Sequence, residues 1–171
     1  MVRFFYFFCI ISLLLNFGCE PKETPKFIPD GLYLVKKIDT IKTPLRPLLL
    51  NEKAIFFNKM FDEYNDQNYN RIIIDTTQYV QLDLEGDPKT EQDEESKKRL
   101  LLSLSKNASA SLKIFSVKYL MKKVVLVIDG EALTIHKIKE PLTSGLLQIT
   151  RCNDNACEKL SLVLKDNVKN D

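Results

Sequence analysis

Residues Lys122 to Lys165, KKVVLVIDGEALTIHKIKEPLTSGLLQITRCNDNACEKLSLVLK, decide the fold of this chain. Val124 to Ile128 is a continuous β-branched and aliphatic run that ends in Asp129-Gly130. That dipeptide is the strongest short-range hairpin signal, because both turn residues must tolerate positive φ. Ala132 to Ile138 is therefore expected as the antiparallel partner. Pro141 and Gly145 break the chain before Leu146 to Thr150, a further strand. A last helix is expected to start near Asp154 or Asn155, and it puts Ala156, Leu160, Val163 and Leu164 on one face.

Working outward, Leu100, Leu102 and Leu104 alternate with Leu101, Ser103 and Ser105 and predict a strand that enters the core. Ser105 or Asn107 can cap the helix that follows, whose apolar face is Ala108, Leu112, Phe115 and Tyr119. From Arg99 the order is β-α-β-β-β-α. The fold class is thus α+β, a mostly antiparallel sheet with two helices on one face, preceded by extra N-terminal strands. Those strands are expected at Gly31 to Ile38, Ala54 to Phe57, Arg71 to Asp75 and Tyr79 to Leu84. Pro44 and Pro47 make the segment between the first two a turn or extended structure. Asp62 to Asn70 is read as a surface loop, and it lacks the glycine and terminal glutamate of an EF-hand calcium loop. Gly86 to Lys98 has no apolar residue and is read as a solvated connection.

VVLVIDGEALTIHKIKEPLTSGLLQIT followed by ACEKLSLVLK resembles the P1 head subdomain of the protein-export subunit SecD. Matching positions are Asp129, Gly130, Pro141, Gly145, Ile149, Ala156, Leu160 and Leu164, with Phe115 in the preceding helix. The resemblance runs from Arg99 onward and implies a head-subdomain fold. It departs from SecD after the hairpin, where Thr134, Ile135 and His136 replace the usual Ser-Ala-Pro. The chain is also similar to short free-standing lipoproteins that carry this head, in which an Ile-Thr-Arg-Cys strand end and an Ala-Cys-Glu helix start occur.

The N-terminus gives the expected address. After Arg3, FFYFFCIISLLLNFG carries no charge and is shorter than the roughly twenty apolar residues of a membrane span, so it is read as a secretory signal. Gly18 then precedes Cys19, which resembles the lipobox of bacterial lipoproteins, although Asn16 stands where an aliphatic residue is usual. A diacylated Cys19 would hold the protein to a bilayer. Glu20 to Asp30 has three prolines and mixed charge, the composition of an extended tether. The expected organisation is a signal peptide over 1–18, a tether over 19–30, a β-rich part over 31–89 and the head-like subdomain over 90–171.

The 171 residues are 44% hydrophobic and 28% charged with a formal charge of +2, a globular balance with no electrostatic case for nucleic acid. In an exported chain Cys152 and Cys157 are expected to pair as a disulfide at the strand-to-helix corner, with free thiols or a metal or redox site as alternatives. Their spacing is not that of a thioredoxin-type motif, and two thiols with a single histidine fall short of a zinc set. His136, the single histidine, has no nucleophile or acid at a diagnostic spacing and is read as a surface strand residue. No catalytic residue, metal or cofactor is predicted. The expected function is a non-enzymatic lipoprotein of the bacterial envelope, facing the periplasm or cell exterior and binding an envelope or exported protein. The alternatives are an accessory of Sec-type export, and a small-ligand binder or enzyme built around His136 and the Cys152 to Cys157 corner.

Overall fold

A computed structural model of the protein describes residues 28–40, 42–58, 69–92, 98–150 and 156–168. The expected hairpin is present: β6 (Lys123–Ile128) turns through Asp129 at φ 51° and Gly130 at φ 76° into β7 (Glu131–Lys137). Both turn residues are left-handed, as a two-residue type I′ turn requires. The hairpin extends a sheet begun by β1 (Gly31–Thr40), β2 (Glu52–Ile55) and β3 (Tyr69–Gln81), in the order β2-β3-β1-β6-β7 with every pair antiparallel. A second antiparallel sheet has the order β4-β5-β8, formed by β4 (Lys89–Gln92), β5 (Lys98–Ser103) and β8 (Leu146–Thr150). The helices are α1 (Lys106–Lys118) and α2 (Ala156–Val168). The α+β class holds, with the antiparallel strands divided between two sheets.

Strands from before and after residue 90 share the five-stranded sheet, where β1 pairs with β6. The five-stranded sheet is buried on both faces, which is why β6 is a continuous apolar run instead of an alternating one. Leu32, Val80, Val124, Leu126 and Ile128 of one face join Leu100, Leu102 and Ile149 of the small sheet, with Leu112 and Phe115 of α1 and Leu160 and Leu164 of α2. The opposite face carries a second cluster that includes Tyr33, Ile72, Ile74, Val125 and Val127. Ser105 caps α1 by accepting from the Ala108 amide at 3.2 Å, as expected of a serine at a helix entry.

Three segments differ from expectation. Arg71 to Asp75 and the first part of the expected Tyr79 to Leu84 run are one strand, which ends at Gln81: Tyr33 pairs with Tyr79 but Val35 with Ile74, so the chain bulges between them without leaving β3. A bulge interrupts the alternation of side chains and makes one strand look like two. β3 also starts at Tyr69, inside the expected Asp62 to Asn70 loop; residues 62–68 lie outside the described residues. Within the expected solvated connection, Lys89 to Gln92 form edge strand β4 with all four side chains exposed, and Lys98 already belongs to β5. Backbone pairing and the bond from Arg99 Nη2 of β5 to Glu91 Oε2 at 2.9 Å hold β4, so it leaves no apolar signal.

Candidate functional site

The last strand of each sheet borders the same cleft. β7 ends the five-stranded sheet and β8 ends the three-stranded sheet. His136 and Lys137 of β7 and Leu146, Leu147 and Gln148 of β8 line a cavity of about 310 Å³ with Leu32, Val124, Ile138 and Leu142 as apolar surface. Lys139 and Glu140 complete the lining on the β7–β8 connection.

That connection is held in place by its own backbone. The Met121 amide donates to Ile138 O at 2.7 Å and the Ile138 amide to Lys122 O at 3.0 Å, continuing the hairpin ladder by one rung. Past Pro141, the Leu142 amide donates to Ser116 Oγ at 2.9 Å, and Ser116 is wholly buried on α1. Gly145 O accepts from the Leu104 amide at 2.9 Å. Gly145 sits at φ 68°, and a Cβ there would collide with Ser109 of α1. The loop therefore approaches α1 as closely as a residue without a side chain allows.

His136 is exposed, as expected, yet it stands at a cavity mouth where desolvation lowers its pKa. Its imidazole is accordingly biased towards the neutral form, which can both donate and accept a hydrogen bond. The cleft offers an apolar floor, two sheet edges, a neutral imidazole, a carboxamide and rim charges of both signs. Such a lining suits an extended chain with apolar side chains. Among the described residues no three His, Cys, Asp or Glu side chains are grouped to hold a metal.

Cys157 is wholly buried in the first turn of α2 and packs in the main core, apart from the cleft lining. Cys152 lies outside the described residues, as does Cys19. No helix among the described residues is long and apolar enough to cross a membrane.

On its outer side β7 meets the Phe56 to Asn58 segment at its start: Ala132 donates to Phe56 O and accepts from the Asn58 amide, both at 2.8 Å, and the Asn58 side chain donates to Glu131. From Leu133 to Lys137, β6 is its only strand partner among the described residues. The cleft has no single-segment signature, because its walls come from the termini of two sheets that only the tertiary fold brings together. The alternation in β7 and β8 was the available signal, since it marks strands without saying which are edges.

No family model matches the sequence, and no curated protein matches it. Among solved structures, that of the membrane component SecDF that enhances protein export is similar at a TM-score of 0.51 and 14% identity, over 80% of this chain and 62% of that one. A crystal structure of SecDF in a super-membrane-facing form is similar at a TM-score of 0.43 and 21% identity, over 47% of this chain and 11% of that one. The chain thus spans 62% of the first structure's length and 11% of the second's. The likeness is one of fold, and it supports a SecD-like head.

Proposed function

We propose that this protein is a lipid-anchored, non-enzymatic component of the bacterial envelope whose head binds an extended segment of another envelope or exported protein. The observation that carries this reading is the cleft at which the edge strands β7 and β8 meet over an apolar floor. An edge strand offers unpaired backbone groups, so an incoming strand gains main-chain hydrogen bonds, while the floor takes alternate side chains. The leader, Cys19 and the proline-rich tether supply the address: acylated Cys19 fixes the chain to a bilayer, with the head facing the periplasm or cell exterior.

The test is recovery of partners from crosslinked membranes. One or more envelope or exported proteins should copurify with the intact chain and fail to copurify when Lys137 and Gln148 are both replaced by bulky tryptophan. Recovery of nothing above background would remove the reading's support.

A second reading, accessory of Sec-type protein export, draws on the fold shared with SecDF at a TM-score of 0.51. Fold alone does not transfer function. Secretion that proceeds at its normal rate after deletion of the gene would count against it. A small-ligand binder or enzyme at His136 is the third reading. The cavity is at the lower end of the roughly 300–1,000 Å³ of ligand pockets. Ligand uptake that survives His136→Ala would sink the version centred on that side chain.

A further inference from the structure

A second surface is built for contact at the opposite end of β1 from the tether. Pro44 to Leu50, PLRPLLL, connects β1 to β2, and its leucines point into solvent: Leu45 is 69% exposed, Leu48 40%, Leu49 62% and Leu50 107%. Exposed leucines scattered over a surface need no explanation, but four within six residues form a contiguous apolar tip.

The tip is rigid. Glu52, buried beneath it, accepts from Arg46 Nη1 at 2.8 Å and Nη2 at 2.9 Å, and from the Leu49 amide at 3.0 Å. The Glu52 amide donates back to Leu49 O at 2.9 Å, and Arg71 Nη2 donates to Arg46 O at 3.3 Å. Asn51 O accepts from the Thr76 amide at 2.9 Å. Arg46, the one charged side chain of the tip, is held by buried Glu52 while remaining 36% exposed, and the polar backbone is tied to the sheet, while the leucines stay outside. A loop with no use for its leucines would gain by the reverse arrangement.

The surrounding charge selects the occupant. Among the described residues at this end of the sheet, the carboxylates Asp39, Glu52 and Asp75 are all buried. Of the cations, Arg71 pairs with Asp39 and is 12% exposed. Lys36 and Lys37, paired with Asp75 at 3.7 Å and Asp39 at 2.8 Å, keep their side chains 41% and 40% exposed, and Lys42 is exposed. With Arg46 these five cations outnumber the three carboxylates by two. Among the described residues solvent therefore meets an apolar tip beside a net cationic surround, the pattern of a segment that enters the headgroup region of an anionic bilayer. We propose that Pro44 to Leu50 inserts its leucines into the interface of an anionic lipid bilayer.

Chain length permits the contact. β1 carries the chain about 30 Å from Gly31 to Thr40, and the twelve residues from Cys19 to Asp30 can span at most about 40 Å. A lipid at Cys19 would let the tip reach the same membrane, and the contact itself does not require acylation.

The chain contains no tryptophan, so Leu50→Trp introduces a single indole at the most exposed position of the tip. The full-length variant is mixed with phosphatidylcholine–phosphatidylglycerol vesicles whose acyl chains are brominated, and flotation reads attachment separately. The proposal expects the emission to shift to the blue and to be quenched by the bromines, while Ile114→Trp, 71% exposed on α1, is neither shifted nor quenched. Chains that float with unshifted Leu50→Trp emission overturn the tip contact and leave the anchor reading intact. Chains that neither float nor shift overturn it too. A blue shift that rises with protein concentration in the absence of vesicles would assign the tip to a second copy of the chain, and also overturns it.

Discussion

Glu52 on β2 accepts both terminal nitrogens of Arg46, at 2.8 and 2.9 Å, and the pair ties the loop between β1 and β2 to the five-stranded sheet. Bidentate guanidinium–carboxylate geometry is the strongest form of such a contact. The Arg46 bonds, helped by the Leu49 amide, hold the Glu52 carboxyl down to about 2. Asp39 is lowered in the same sense, first by Lys37 and then by Arg71 at 2.7 Å.

Folded-state values below the unfolded ones mean stability that is present above the ordinary carboxylate value and lost as pH falls. The denaturant midpoint should therefore decline between pH 4.5 and pH 2, the ordinary and folded values of Glu52. Glu52→Gln should be less stable at neutral pH and show a shallower decline across that window. An unchanged pH profile in the variant would remove Glu52 from the account.

Gly145→Ala should destabilise the protein by about 1–3 kcal/mol, the range for a side chain forced into a left-handed site. Here a steric clash with Ser109 adds to the backbone cost. Chemical denaturation reads the change directly. Gly86→Ala, where no atom lies within 4 Å of the added carbon, should stay within about 0.5 kcal/mol of the parent.

Two leucines of α2 separate burial from helix propensity. Leu164 is 2% exposed and Leu162 63% exposed. Leu164→Ala should cost about 2–5 kcal/mol, and Leu162→Ala no more than about 0.5 kcal/mol. Equal losses at the two positions would mean that α2 is rotated from the orientation described.

Mass spectrometry of the mature protein under non-reducing conditions should find Cys19 acylated and a peptide joining Cys152 to Cys157. Reduction should then lower stability by about 2 kcal/mol, the low end for a disulfide, because so short a loop loses little closure entropy. An unmodified Cys19 would overturn the proposed address. Free thiols would leave the strand-to-helix corner unstapled.

The hairpin, the α1 cap and the faces of both helices were legible because each has a local cause: positive φ at Asp129 and Gly130, a serine oxygen at the helix entry, and periodicity in Leu112, Leu160 and Leu164. Sheet membership was not legible. β8 reads as a strand from its residues, but that it pairs with β5 and not β7 is set by packing between distant segments. β4 was missed because an edge strand with four exposed polar side chains has no periodicity to show. The cleft depends on the pairing of β8, since it exists only where the ends of two separate sheets converge. The leucine tip had a visible signal in PLRPLLL, but whether those leucines point inward or outward depends on how the loop is tied to the sheet, where Glu52 accepts from Arg46 and from the Leu49 amide.

The central claim is that the β7–β8 cleft receives a protein segment, and site-specific photocrosslinking tests it most directly. A photoreactive residue at Lys137, on β7 and in the cleft lining, is compared in intact envelopes with one at Lys159, exposed on α2. The account predicts a discrete protein adduct from Lys137 and none from Lys159. Adducts of equal yield at both positions, or none at Lys137, would contradict it.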